Sequence, residues 1–184
     1  MNIQTLKSQL GDYAKDIKLN LGSVLSEEGA PDLRSNQIYG IALASAYATQ
    51  NSAVVQAVLG EAAAVLSKAE TEAAKAAATI MAMNNIYYRF VHLVSDKEFG
   101  KLPAKLRMNV IGSPGIEKVD FELYALAVSA INGCGMCMDA HVHEVTKAGV
   151  SKTGVQSCIR IASVINAVAQ AVVIGDLEGN AAPA

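Results

Sequence analysis

Apolar residues recur at spacings of three and four along almost the whole chain, which is the spacing of one face of an α-helix. Alternation of period two, which would indicate strands, is rare, and alanine is frequent between the larger apolar residues. The pattern therefore predicts an all-α fold. The predicted helices span residues 2–20, 31–49, 51–65, 69–91, 103–110, 120–131, 134–148 and 152–175.

Capping residues and glycines mark the ends of these helices. Short polar side chains mark three predicted starts: Asp32, Ser67 and Ser151. Glycine, which adopts left-handed conformations readily, marks four predicted stops: Gly22, Gly133, Gly149 and Gly175. We expect one domain, 1–184, with a first half (1–94), a linker (95–119), a second half (120–175) and a flexible tail (176–184).

The two halves resemble each other in sequence. Residues 37–46 align with 122–131, and 66–68 align with 150–152. An internal duplication of a helical unit explains both matches, and chance similarity between alanine-rich helices is the alternative. A cysteine pair occurs only in the second half, where the first half has the polar run 49–53.

Composition and charge narrow the class of protein. With 52% hydrophobic and 17% charged residues, the chain can bury a large core. The net charge is −2 and the sequence has no sustained basic block, so it does not predict the positively charged surface that binds nucleic acid. No apolar run approaches about 18 residues, and the N-terminus has no hydrophobic signal region, so we expect no membrane helix and a cytoplasmic location.

The most informative motif is the pair Cys134 and Cys137, which are three residues apart. A helix starting near Cys134 places both thiols and His141 within about 60° of one another around its axis. Gly133 is a helix stop, so Cys134 lies near a helix N-terminus, where the dipole stabilises a thiolate. One thiol can attack a substrate, and the other can then form a disulfide with it. Cys158 lies in an apolar helical pattern and is predicted to be core.

Three alternatives to a redox dithiol remain open. Cys134, Cys137, His141 and His143 have the spacing of four zinc ligands, but a continuous helix points the two histidines about 200° apart. His141 could instead be a core histidine with satisfied hydrogen bonds. Both cysteines could be inert buried residues. His143 is predicted to be an exposed helix residue, with a possible accessory role at a contact between subunits.

Glu122 is a further candidate. Asp120 is a plausible N-cap, and a glutamate in the first turn is favoured by the helix dipole, so an ordinary structural role is open. The functional interpretation rests on helical phase, because Glu122, Ser129 and Gly133 fall on one face that leads to the cysteine turn. If the two helices are antiparallel, Glu122 can orient His141, which then takes a proton from a thiol.

At these positions the chain resembles the AhpD family of alkylhydroperoxidases, in the carboxymuconolactone decarboxylase-like superfamily. Residues 121–134, Cys137, Ala140, His141 and His143 carry the resemblance. A second stretch typical of that family is similar to residues 81–90. The resemblance covers nearly the whole chain and implies an all-helical, internally duplicated subunit that assembles as a homotrimer.

The resemblance also implies roles for the site residues. Cys137 is the peroxidatic nucleophile and proton donor, and Cys134 resolves it by closing a Cys134–Cys137 disulfide. His141 is the general base, and Glu122 orients it in a proton relay. The best-known members have a histidine just before the second cysteine, where this chain has Met136.

The implied activity is reduction of organic hydroperoxides and hydrogen peroxide, with electrons from dihydrolipoamide-type groups on a dehydrogenase-complex subunit. An AhpC-type peroxiredoxin is an implied partner, and no haem, flavin or metal is required. Two other classes stay open: a carboxymuconolactone decarboxylase-like lyase, which needs a general base but no cysteine pair, and a non-enzymatic thiol redox sensor.

Overall fold

The computed structural model describes residues 1–179, and the regular secondary structure in this range is entirely helical. The all-α prediction is confirmed. The α-helices are α1 (Ile3–Gln9), α2 (Lys15–Val24), α3 (Ser35–Thr49), α4 (Ser52–Ala62), α5 (Lys68–Leu93), α6 (Asn109–Gly112), α7 (Lys118–Ile131), α8 (Gly135–Lys147) and α9 (Lys152–Gly179). Single 3₁₀ turns cover Asp12–Ala14 and Lys97–Lys101.

Helices α3 and α7 form the centre of the molecule and pack against each other. Every residue from 120 to 129 in α7 is buried, and so are residues 40–46 in α3. A helix segment that is buried on all sides has no solvent face and must be surrounded by other elements. The remaining helices accordingly surround this central pair.

The internal duplication is visible in the packing. The triplets α3–α4–α5 and α7–α8–α9 have the same order of a central, a short and a long helix. Both central helices contact both long helices, α5 and α9. Each short helix packs on the long helix of the other half, α4 on α9 and α8 on α5. The two halves therefore exchange contacts and share one core.

The helix caps correct the predicted alignment of the halves. Arg34 is the N-cap of α3 and Glu117 is the N-cap of α7. Counted from these caps, Gln37 corresponds to Asp120 and not to Glu122. The two side chains also meet, since Gln37 Nε2 donates to Asp120 Oδ1 at 2.7 Å. Both helices are rich in small apolar residues, so the sequence matches at more than one register.

The N-terminal part differs from the predicted helix 2–20. The chain is extended at Leu10, which separates α1 from the 3₁₀ turn and α2. The predicted stop Gly22 lies inside α2, which continues to Val24. The predicted start Asp32 has a φ of 64°, and α3 begins three residues later, at Ser35.

Asp120 is not an N-cap. It is the third residue of α7, in the first turn, and its buried carboxylate accepts hydrogen bonds from Arg34 Nη2 at 2.9 Å and from Gln37. This ion pair and hydrogen bond join the beginnings of the two central helices. The residue type of Asp120 predicted an N-cap, because the local sequence does not reveal its partners Arg34 and Gln37.

The predicted linker contains short helical elements. Of the predicted helix 103–110, only its last two residues are helical, in α6, and α7 already begins at Lys118. At the C-terminal end Gly175 does not stop α9, which runs to Gly179. Residues 176–179 of the predicted flexible tail are therefore helical, and residues 180–184 lie outside the described residues.

Helix α9 is long and apolar enough over Lys152–Leu177 to cross a membrane by length and composition. It packs against α2, α3 and α7, and its residues Ile161, Ile165 and Val168 belong to the core. Burial in a helical core explains the same hydropathy without a membrane.

Candidate active site

The turn between α7 and α8 presents the cysteine pair. Gly133 has a φ of +68°, and its N–H donates to Ala130 O while the N–H of Cys134 donates to Ser129 O. This is a Schellman motif, which requires a left-handed residue that glycine supplies without strain. The predicted helix stop at Gly133 is confirmed, and Cys134 follows directly as the N-cap of α8.

A network of side chains from α5 holds this turn. Asn85 Nδ2 donates to Ser129 Oγ at 3.0 Å, and Asn132 Nδ2 donates to Asn85 Oδ1 at 3.0 Å. Arg89 Nη1 donates to the Asn132 carbonyl at 2.6 Å. The network fixes the position of the turn that ends at Cys134. These polar residues of α5 belong to the family-like stretch 81–90.

Cys134 and Cys137 are joined by a disulfide with their Cα atoms 5.3 Å apart. Cys134 is fully buried, and Cys137 is 5% exposed. The sulfur of Cys134 also accepts a hydrogen bond from the backbone N–H of Cys137 at 3.3 Å. The start of α8 therefore directs one backbone N–H toward the sulfur of Cys134, an arrangement that stabilises negative charge on that sulfur.

Glu122 and His141 meet inside the protein. Glu122 Oε2 lies 2.6 Å from His141 Nδ1, and both side chains are less than a tenth exposed. The other ring nitrogen, Nε2, makes no hydrogen bond within residues 1–179. Glu122 lies in the second turn of α7, so the helix-dipole role considered for a first-turn glutamate does not explain it.

A cavity of about 480 Å³ connects these groups. Cys137, His141 and Glu122 line it from α7 and α8. Apolar side chains form most of the remaining wall: Met81, Tyr88, Met108, Ile111, Met136 and Ala140. The cavity thus offers a disulfide sulfur, an imidazole and an apolar surface at one place, and a mostly apolar wall with a few polar groups is the usual composition of a small-molecule site.

An ion pair lies at the same cavity. Lys118 Nζ is 3.3 Å from Glu144 Oε2, and this contact lowers the pKa of the Glu144 carboxyl. Because both side chains are exposed, the pair contributes little to stability. It places opposite charges beside the apolar wall.

A larger cavity of about 620 Å³ does not contain the cysteines. Asn85, Arg89 and Asn132 line it, and these are the residues that hold the cysteine turn. Its wall has no thiol, histidine or carboxylate. The candidate reactive side chains, Cys137, His141 and Glu122, therefore line the smaller cavity and not this one.

The other sequence candidates lie apart from this cluster. His143 is exposed on α8 and does not line the cavity, so the four-residue zinc arrangement is not assembled. Residues 1–179 contain no group of three or more His, Cys, Asp or Glu side chains placed to hold a metal ion. Cys158 is fully buried, and burial raises the pKa of its thiol. Its predicted place in the core is confirmed.

Sequence reasoning did not assign roles to Asn84, Tyr88 or Met108. All three line the cavity, from α5 and from the segment before α6. Asn84 and Tyr88 are four residues apart on one helical face, which is a detectable signal. Met108 lies in an irregular segment that carries no periodic signal.

The sequence of the chain is similar to those of known proteins. Residues 97–174 match the model of the carboxymuconolactone decarboxylase family. Over 172 residues the chain is 59% identical to the alkyl hydroperoxide reductase AhpD of Coxiella burnetii, covering 94% of this chain and 97% of that protein. It is 56% identical over 169 residues to the protein of that name from Rhodospirillum centenum, covering 92% and 89%. For the Brucella anthropi protein of that name, identity is 51% over 178 residues, covering 97% and 100%.

Proposed function

The chain belongs to the AhpD family, and on this basis we propose that it is a thiol-dependent peroxidase that serves antioxidant defence. It reduces organic hydroperoxides and hydrogen peroxide through a dithiol–disulfide cycle at Cys134 and Cys137. The single observation that supports this function most directly is the Cys134–Cys137 disulfide, whose Cys137 lines the same cavity as the hydrogen-bonded His141–Glu122 pair.

The first step oxidises Cys137. His141 removes the proton of the reduced Cys137 thiol, and the Glu122 carboxylate stabilises the imidazolium that forms. The thiolate attacks the terminal oxygen of the hydroperoxide, so an S–O bond forms while the O–O bond breaks. The leaving alkoxide takes the proton from His141 and departs as an alcohol, and Cys137 becomes a sulfenic acid.

The second step closes the disulfide. The sulfur of Cys134 attacks the Cys137 sulfur, the S–O bond breaks, and the hydroxide leaves as water with the proton of Cys134. The Cα separation of 5.3 Å suits a disulfide without a large backbone movement. The reaction thus ends in the arrangement that the structure contains.

A dithiol of the dihydrolipoamide type restores the cysteines. One of its sulfurs attacks the disulfide to give a mixed disulfide, and its second sulfur then displaces the protein and closes the lipoyl ring. Cys137 opens on the apolar cavity whereas Cys134 is fully buried, so we place the attack at Cys137. A lipoyl group carried by a subunit of a dehydrogenase complex would enter with its alkyl arm along the methionines.

Assembly, partner and location extend the same proposal. A stripe of exposed apolar residues on α5, formed by Ile86, Phe90 and Leu93, supports association into a homotrimer. Besides the hydroperoxide, an AhpC-type peroxiredoxin accepts electrons from the reduced cysteine pair. A cytoplasmic location suits a dithiol that must be re-reduced after each turnover.

Steady-state turnover tests this function. We expect the protein to reduce cumene hydroperoxide with dihydrolipoamide through many cycles, and Cys137→Ser to abolish the reaction. Cys158→Ala is the matched control, because this third cysteine is buried apart from the cavity. One oxidation per subunit without turnover would instead identify a redox sensor. Lactone decarboxylation that survives Cys137→Ser would identify a lyase.

A further inference from the structure

Asn84 places a buried amide on the wall of the cavity that contains Cys137 and His141. The residue is only 3% exposed. Its Oδ1 has no hydrogen-bond partner among residues 1–179, and its Nδ2 meets only the sulfur of Met81, at 4.0 Å. A thioether is a weak acceptor, so both ends of the amide are poorly satisfied by the protein.

The next residue, Asn85, shows that a buried asparagine at this position of α5 can form hydrogen bonds with the protein. Asn85 is equally buried, but its amide donates to Ser129 Oγ and accepts from Asn132 Nδ2. The two asparagines are adjacent on one helix and face different cavities. Asn85 holds the cysteine turn, whereas the amide of Asn84 is unused by the fold.

Two other buried side-chain oxygens in the described part of the chain lack a hydrogen-bond partner, Ser45 Oγ and Tyr124 OH. Both lie in the central helices α3 and α7, and neither lines the cavity. Of these three residues, only Asn84 lines the cavity. An unpaired buried acceptor is destabilising, and at a binding cavity it indicates a ligand that donates a hydrogen bond.

We propose that Asn84 binds the hydroperoxide by accepting a hydrogen bond from its O–H group. This inference rests on the proposed peroxidase function. The oxygen that carries this hydrogen is the terminal oxygen attacked by Cys137. Holding it by its hydrogen fixes the O–O bond against the thiolate, which gives the proximity that accelerates the reaction. The hydrogen stays on that oxygen and becomes the proton of the sulfenic acid.

The rest of the cavity favours the peroxide over the dithiol as the ligand of Asn84. A hydroperoxide O–H is a strong donor, whereas a thiol S–H is a weak one. The apolar wall that includes Tyr88, Met108 and Ile111 suits the organic part of the molecule. A ligand with one strong donor and an apolar remainder therefore fits the composition of this cavity.

The variant Asn84→Leu tests this assignment, because leucine has a similar size and no polar atom. In the pre-reduced protein we expect oxidation of Cys137 by cumene hydroperoxide to slow by about tenfold, the effect of one lost hydrogen bond. Alkylation of Cys137 by iodoacetamide, which reports the thiolate, should be unchanged. The melting temperature should stay the same or rise, because an unpaired buried acceptor is removed.

Ser45→Ala is the matched control, since it removes the unpaired Oγ of a fully buried residue away from the cavity. It should leave both rates unchanged. Wild-type oxidation kinetics in Asn84→Leu would overturn the role of Asn84 while leaving the peroxidase function intact. Slower reduction of the disulfide by dihydrolipoamide, with normal oxidation, would also overturn it and assign the amide to the reductant. A wild-type protein that does not react with the peroxide would instead contradict the proposed function.

Discussion

Glu122 Oε2 lies 2.6 Å from Nδ1 of His141, and the two residues come from helices α7 and α8. Both are buried, so water screens this interaction little. A carboxylate at one ring nitrogen sets the orientation of the imidazole and leaves the other nitrogen to exchange a proton. The pair thus has the geometry of a base and its orienting group.

The variants Glu122→Gln and His141→Phe test this relay. Each should slow peroxide reduction by about 10²-fold, the range for lost general-base assistance. The double variant should be little worse than either single variant, because the two residues act as one unit. Rapid-quench kinetics on the pre-reduced proteins measure all three rates.

A purely structural glutamate gives a different result. Glu122→Gln would then lower the unfolding free energy by about 1–3 kcal/mol, because it weakens a buried hydrogen bond to His141, and leave the reactivity of Cys137 unchanged. Alkylation rates of Cys137 equal to wild type from about pH 5 to 9 would refute the relay, since that range spans thiol ionisation. Strictly additive losses in the double variant would also contradict it.

The two cysteines should behave differently toward peroxide. Cys137→Ser should remove the reaction altogether. Cys134→Ser should allow one attack and leave Cys137 as a sulfenic acid that is open to further oxidation. Mass spectrometry after one equivalent of peroxide distinguishes these products. Oxidation of Cys137→Ser together with an inert Cys134→Ser protein would reverse the assigned roles.

Cys158 should stay silent in thiol assays of the folded protein. Burial raises the pKa of this thiol, so it remains neutral and unreactive at about pH 7 to 9. After reduction, a colorimetric thiol reagent should detect no more than Cys134 and Cys137 under native conditions. The third thiol should appear only in denaturant, and its detection in the native protein would show that the core opens.

The left-handed Gly133 gives a prediction that separates stability from chemistry. Gly133→Ala should lower the unfolding free energy by about 1–2 kcal/mol, because a Cβ is disfavoured in this conformation. The cost is conformational, since an added Cβ would meet no atom within 4 Å. The variant should also slow peroxide reduction, because Cys134 follows directly.

Gly149→Ala is its control. Gly149 has a φ of +97° and open space where an added Cβ would lie, and it follows the end of α8 away from the cysteines. It should lose similar stability in a denaturant titration and keep full activity. Equal activity losses in both variants would mean that stability, and not the placement of Cys134, controls the rate.

Light scattering tests the proposed trimer. We expect a particle of three subunits, and Phe90→Glu should dissociate it by placing a charge in the apolar stripe on α5. Leu19→Glu is the control, because Leu19 is exposed on α2, outside that stripe. A wild-type monomer at micromolar concentration would contradict the trimer.

The local features of the site were predictable from sequence. The Gly133 stop and the helix that follows Cys134 follow from helical periodicity and turn chemistry. The meeting of Glu122 with His141 was predicted only for antiparallel helices, and the structure shows the two residues in contact. The cavity walls were not predictable in this way. Met108 reaches the site from an irregular segment, and its position depends on packing between distant parts of the chain.

The errors in the fold prediction have the same origin. Asp32 and Asp120 have the residue type of an N-cap, but their hydrogen bonds go to distant partners, Ser151 and Arg34. Gly175 is tolerated inside α9 because packing of a long helix outweighs the cost of one glycine. Local propensity gives way where long-range contacts are stronger.

The two halves also differ in what they use to begin their short helices. Asn51 caps α4 with two backbone hydrogen bonds, and Cys134 stands at the same place in α8 with one long bond to sulfur. An asparagine cap is worth about 1 kcal/mol, and sulfur is a weak acceptor. The same structural position thus holds a strong helix cap in the first half and, in the second half, a weak cap whose sulfur belongs to the disulfide of the proposed site.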